Sequence, residues 1–197
     1  MKKITLVLFL SILINQITFA QSNKEQRFVQ TVNTLVKAFS MQDSATVAKF
    51  IHPEKGVLLL FRQGVFDNLT ELYTISFHDE GFPQVLFTQC KGIKALPLKY
   101  ATLPKFNCEN TRWNKKGLFV DTKKTDHLVS SICKTRNKLV PDNIPISTIQ
   151  QYYKLELMSR RIVLTGNEYD NLIFYLSYID GRWYLTIFDE VTCDCSA

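Results

Sequence analysis

Three histidines, a pair of adjacent carboxylates near the end of the chain and a Cys-X-Cys tail are the groups in these 197 residues whose types and spacing bear on chemistry. His52 stands before Pro53 at the end of a helical stretch. There an imidazole either caps the last carbonyls, favoured by the helix dipole, or carries a proton. His78-Asp79-Glu80-Gly81 groups an imidazole with two carboxylates, a set that either holds a hard metal ion or makes a solvated turn. Neighbouring residues point in different directions, so the turn is preferred and no metal site is assigned. His127 falls in the first turn of a helix and is expected to be exposed. Asp189 and Glu190 close the last strand, and either can serve as a general acid or base. Asp189 continues the alternation Trp183, Leu185, Ile187. It is therefore expected to face inward, where burial raises a carboxyl's pKa, unless it is a strand-end residue at the rim.

The signatures of serine hydrolases (G-x-S-x-G), zincins (H-E-x-x-H) and P-loop proteins (G-x-x-x-x-G-K-[ST]) do not occur. No cofactor is expected. Asn68-Leu69-Thr70 is a glycosylation sequon, meaningful only in a eukaryotic source.

All five cysteines, Cys90, Cys108, Cys133, Cys193 and Cys195, are disulfide candidates. The odd count leaves at least one thiol unpaired within the chain, and spacing does not fix the connectivity. Cys193-Asp194-Cys195 can bind a soft metal or exchange disulfides. A zinc site needs about four ligands, however, and no second closely spaced pair is present. A bridge from the tail back to Cys90, Cys108 or Cys133 is the expected use of these thiols in an oxidising compartment.

That compartment is read from the first twenty residues. Lys2 and Lys3 precede an apolar run from Ile4 to Ile14, and Thr18-Phe19-Ala20 offers a small residue for cleavage before Gln21. Residues 1–20 are expected to be a secretory signal, because the run is shorter than the roughly 20 residues that span a bilayer. Its short basic start is bacterial in type, so periplasm or exterior is the expected location, with no membrane span after cleavage.

Residues 21–197 are expected to form one domain, with 46% apolar residues in the whole chain and no repeat or linker. The leader holds two lysines and no acid, so the remainder carries 22 Lys and Arg against 18 acids. Between about 91 and 139 there are twelve basic residues against three acids. This central segment, which also holds cysteines, either meets an anionic partner or is a solvated lysine-rich face. Nucleic acid is disfavoured, since export removes the usual target and no recognition motif accompanies the charge.

The elements that must position these groups follow from periodicity. Phe28, Val32, Leu35, Val36 and Phe39 share one helical face, and a second helix starts at Asp43 or Ser44. Val57 to Arg62 is an unbroken apolar strand, which implies burial on both faces. Asp67 or Asn68 is expected to cap a helical turn through Leu69, Leu72 and Tyr73, and Val85 to Thr88 to form a strand. Only short strands are expected from 91 to 121. Thr125 or Asp126 starts a helix with Leu128, Val129, Ile132 and Cys133 on one face, and 147–158 reads as helix or strand. Arg161 to Thr165, Leu172 to Tyr178 and Trp183 to Val191 are strands, the last two joined by the tight-turn dipeptide Asp180-Gly181. The class is α+β, with N-terminal helices packed on one face of a curved, mainly antiparallel sheet and a closing C-terminal hairpin.

The N-terminal helix pair, the turn Phe50-Ile51-His52-Pro53-Glu54-Lys55-Gly56-Val57 and the closing Asp180 to Tyr184 resemble secreted bacterial proteins of the nuclear transport factor two-like (ketosteroid-isomerase-like, cystatin-like) superfamily. The resemblance covers residues 24–75 and 160–192, and implies a curved sheet around helices with a cone-shaped pocket. No motif maps a catalytic residue onto a position of this chain.

The reading is a non-catalytic exported domain that binds a small apolar or amphipathic molecule, or an envelope protein. Phe61, Tyr73, Phe174, Tyr175, Trp183 and Phe188 are the aromatics expected to line its pocket, though each is also what a core needs. The alternative is a small isomerase or dehydratase with Asp189 or His52 as proton carrier.

Overall fold

The computed structural model describes residues 2–79, 81–83, 85–88, 90–94, 96–122, 127–139, 144–166 and 171–196, with side chains described from residue 21 onward. One helix, α1 (Lys2–Met41), contains the expected amphipathic stretch in its second half. A tight break follows, with Gln42 at φ 55°. Asp43 then caps α2 (Ser44–Ala48) by accepting from the Thr46 N–H at 2.9 Å.

The first hairpin is β1 (Val57–Gln63) and β2 (Phe66–Leu72), paired antiparallel from Val57↔Leu72 to Gln63↔Phe66. This corrects the expectation of a helical turn after Asp67. Gly64, at φ +70°, turns the chain back, and Asp67 takes the Nε–H of Arg62 across the hairpin at 2.7 Å instead of capping a helix. Gly56 at the entry also has a fixed reason, because a Cβ there would meet the Leu72 carbonyl oxygen at 2.6 Å.

Residues Val85–Thr88 form a single helical turn, α3, where a strand was expected. Three apolar residues and a threonine carry no period, and the turn aims Phe87 and Cys90, three apart, into the core. The central segment supplies β3 (Leu98–Tyr100), the small hairpin β4 (Phe106–Asn107) with β5 (Arg112–Trp113), and β6 (Gly117–Val120). Helix α4 (Leu128–Leu139) follows, while Thr125 and Asp126, its expected start, lie outside the described residues. The ambiguous stretch is a helix, α5 (Ile146–Met158). Strands β7 (Ser159–Thr165), β8 (Asn171–Ile179) and β9 (Arg182–Asp189) complete the chain. Asp180 and Gly181, both at positive φ, make the tight turn between the last two.

The large sheet has the order β2-β1-β9-β8-β7-β6-β3, antiparallel except for β1 beside β9 and β3 beside β6. The class is α+β and mainly antiparallel, as expected. The N-terminal helices pack on one face as expected, but the helices do not all share that face. Leu59 and Phe61 of β1 meet α1, whose Phe28, Val32, Leu35, Val36 and Phe39 are fully buried. The alternate residues Leu58 and Leu60 pack with Val129 and Ile132 of α4 on the opposite face. The unbroken apolar run of β1 is therefore buried from both sides. Glu156 of α5 is buried between the layers and accepts the Val129 and Ser130 N–H groups, so one helix caps the start of the other. Burial pushes its carboxyl upward in pKa, partly offset by those hydrogen bonds.

Among the described residues no helix is long and apolar enough to cross a membrane.

Candidate functional site

One irregularity of β9 decides which acid faces where. Tyr175 pairs with Ile187 but Leu176 pairs with Leu185, so Thr186 is an extra residue in β9. A single extra residue reverses the alternation of everything after it. Trp183 and Leu185 face α1, whereas Ile187 belongs to the cluster beneath α4. Asp189 shares the side of Ile187, and Glu190 is directed to the other.

Asp189 is accordingly buried at 2% exposure, and it does not line the cleft that Glu190 borders. Its Oδ2 accepts from Arg161 Nη2 at 2.7 Å and from the Thr192 hydroxyl at 2.8 Å. Its Oδ1 accepts the N–H groups of Val191 and Thr192 at 3.1 and 3.0 Å. Both oxygens are committed to holding the end of the strand, which leaves no position for a substrate proton.

Glu190 lines a cleft of about 450 Å³. Its walls are Phe61 from β1, Phe82 and Leu86 from the α3 segment and Phe106 from β4, with Arg62, Asn171 and the tail residues Cys193, Asp194 and Cys195 at its margin. The Glu190 N–H donates to the Leu60 carbonyl at 2.9 Å, which seats the residue beside β1. Burial, reinforced by the charges of Asp189 and Asp194, pushes its carboxyl up to about 8. It is therefore mostly a neutral acid at pH 7.

A stability test follows from that shift. In the unfolded chain a glutamate ionises near 4.5, while in the fold Glu190 keeps its proton to about 8. Over that interval the folded state binds the extra proton, so its stability falls as pH rises. Melting curves from about pH 5 to about pH 9 are expected to show a decline that Glu190→Gln reduces. An unchanged decline in the variant would mean that Glu190 ionises normally.

The tail is fastened over the cleft. Cys108, after β4, is bridged to Cys195. Arg62 adds a second tether, donating through Nη1 to the carbonyls of Asp194 and Ser196 at 2.8 and 3.0 Å. The bridge takes one of the three partners expected for the tail. Cys90 and Cys133 instead stay reduced inside the protein, and Cys193 is also free. Burial and the nearby Glu190 charge push the Cys90 thiol well up. Burial, Asp189 and Glu190 do the same for Cys193, against a smaller opposing effect of Arg161. Protonated thiols are poor nucleophiles and poor ligands for soft metals, which weighs against redox or metal chemistry at the Cys-X-Cys tail.

The other expected residues lie elsewhere. His52 does not cap α2: its Nδ1 accepts the Glu54 N–H at 3.2 Å, and its ring sits 4.9 Å from that of Tyr184. His127 is half-buried rather than exposed, 4.7 Å from the Tyr153 ring. Glu80 lies outside the described residues, and among those described no group of three His, Cys, Asp or Glu can hold a metal ion. Of the expected aromatics Phe61 lines the cleft. Phe174 and Phe188 are core, and Trp183 is buried against α1 with its indole N–H on the Lys24 carbonyl at 3.1 Å. Tyr175 is buried on the α4 side beside Arg161, and Tyr73 is 54% exposed. Phe82, Leu86 and Phe106 escaped the sequence reading because they come from the loop-rich middle, where no periodicity marks a shared face.

No family model, no curated protein and no solved structure matches this chain, so the geometry of the cleft carries the functional reading.

Proposed function

We propose that the chain is an exported binding domain whose cleft holds a small apolar or amphipathic molecule without transforming it. The carrying observation is Phe82, which leaves 55% of its surface exposed while its ring centroid lies 4.6 Å from that of Phe61. A large aromatic left open at the mouth of a concave apolar site is what a ligand would cover. Helices against a sheet with a cleft at one end also support the resemblance to the nuclear transport factor two-like superfamily. Export is supported by the leader sequence and by the bridged tail.

For the isomerase or dehydratase alternative, Asp189 is locked by Arg161 and His52 does not line the cleft, which leaves Glu190 as the one of its acid candidates that borders it. Docking of an envelope protein is favoured by a separate observation. Ile146, Tyr153 and Leu157, spaced along one face of α5, are 74%, 40% and 41% exposed.

Calorimetry with 1-octanol as a neutral probe tests the cleft reading. Phe82→Ala, at an exposed position that leaves the core intact, is expected to weaken octanol binding about tenfold. Octanol bound equally by wild type and variant, or not bound at all, would remove it.

A further inference from the structure

We infer that the cleft is built for an organic ammonium, a molecule carrying a positively charged nitrogen on an apolar body. This rests on the binding reading above and narrows it to a ligand class.

Glu190 is the basis. Its carboxyl lines an aromatic-walled cleft, and among the described residues it has no hydrogen-bond or ion-pair partner. Glu190 is half-buried, so its carboxyl opens to the cavity while the protein supplies it no partner, which marks a place that a ligand's own charged or polar group can fill.

The surrounding charges set the sign of that partner. Asp189 lies on the far side and is neutralised by Arg161 at 2.7 Å. The Asp194 carboxylate accepts the N–H and hydroxyl of Ser196 at 2.8 and 2.6 Å. Arg62 also borders the cleft, but Asp67 holds its Nε and two tail carbonyls hold its Nη1. The flanking thiols of Cys90 and Cys193 are protonated and neutral. The acids nearest Glu190 oppose a further negative charge beside it, which favours a cation at that end of the cleft. Phe61, Phe82 and Phe106 line the same cleft, and an aromatic ring's quadrupole attracts a desolvated cation. An ammonium entering the cleft would hold Glu190 ionised and release its proton.

Isothermal titration of the full oxidised chain with octyltrimethylammonium and with 1-octanol, both below their aggregation limits, separates the possibilities. The cation is expected to bind about tenfold or more tightly at about pH 9 than at about pH 6, because Glu190 must lose its proton. Octanol, which only accepts a hydrogen bond from the protonated acid, should show no such gain. Glu190→Gln should remove the preference for the cation and keep octanol binding. Octanol bound as tightly as the cation at high pH would overturn the ammonium class and leave the cleft reading intact. Cation binding indifferent to Glu190→Gln would do the same, whereas failure of both probes would overturn both. The wild-type pH series needs no variant to fold.

Discussion

Asp189→Ala is expected to remove about 3–5 kcal/mol of stability, a large share of the roughly 5–15 kcal/mol that a domain has in total. The carboxylate is almost fully buried and its partner Arg161 nearly so, with side-chain exposures of 0% and 14%. Truncation takes the carboxylate from the Arg161 guanidinium, which lies 5.5 Å from the Tyr175 ring centroid, and it frees the N–H groups of Val191 and Thr192. Removing one member of a buried ion pair is much worse than never having the pair. A drop in melting temperature on the order of 10 °C is the readout. Removing both charges, as Arg161→Met with Asp189→Leu, should recover part of the loss, since a buried pair replaced by apolar groups costs less than a broken one. If Asp189→Ala melts within a degree or two of wild type, the pair is not structural and a role for Asp189 in proton transfer regains its footing.

That expectation reverses the simplest reading of the sequence, and the reversal has a local cause. From Trp183, Leu185 and Ile187 the alternation of β9 points Asp189 to the face of α1, and the strand limits and the Asp180-Gly181 turn are legible without a structure. One extra residue, Thr186, is not legible, because a bulge is stabilised by cross-strand partners that a single segment does not contain. Here the buried hydroxyls of Ser177 and Thr186 meet at 2.7 Å. Asp189 and Glu190 were both visible as acids, but which of them borders the cleft depended on that one-residue shift. The same distinction separates the elements. Helix α1 and strand β1 announce themselves through long apolar patterns that tertiary contacts only reinforce. Strand β2 misleads because Asp67 and Asn68 are good helix caps in isolation, while Arg62 five residues earlier gives Asp67 a better partner across a hairpin. The cleft itself joins β1, the α3 segment, β4 and the tail, a conjunction fixed by topology and by one disulfide whose connectivity spacing leaves open.

That disulfide carries the other large effect. Cys108 and Cys195 are separated by 87 residues, and in the chain-entropy view closing a loop of this size restricts the unfolded ensemble by about 4–5 kcal/mol. Replacing both with serine should lower stability by up to about that amount, measurable as a shift in denaturant midpoint with little change in native secondary structure. Reductant should reproduce the shift in wild type and add nothing to the double variant, because the remaining thiols, Cys90, Cys133 and Cys193, are already free. The tail also forms part of the cleft margin, through Cys193, Asp194 and Cys195. Releasing it leaves the Arg62 hydrogen bonds to the Asp194 and Ser196 carbonyls as its remaining described fastening at that margin. Opening the bridge should therefore weaken octanol binding as well as stability, and the two losses should appear together on reduction. A bridge-free protein that binds the probe as well as wild type, at a temperature where both are folded, would separate the tail from the site and restrict the disulfide to stability.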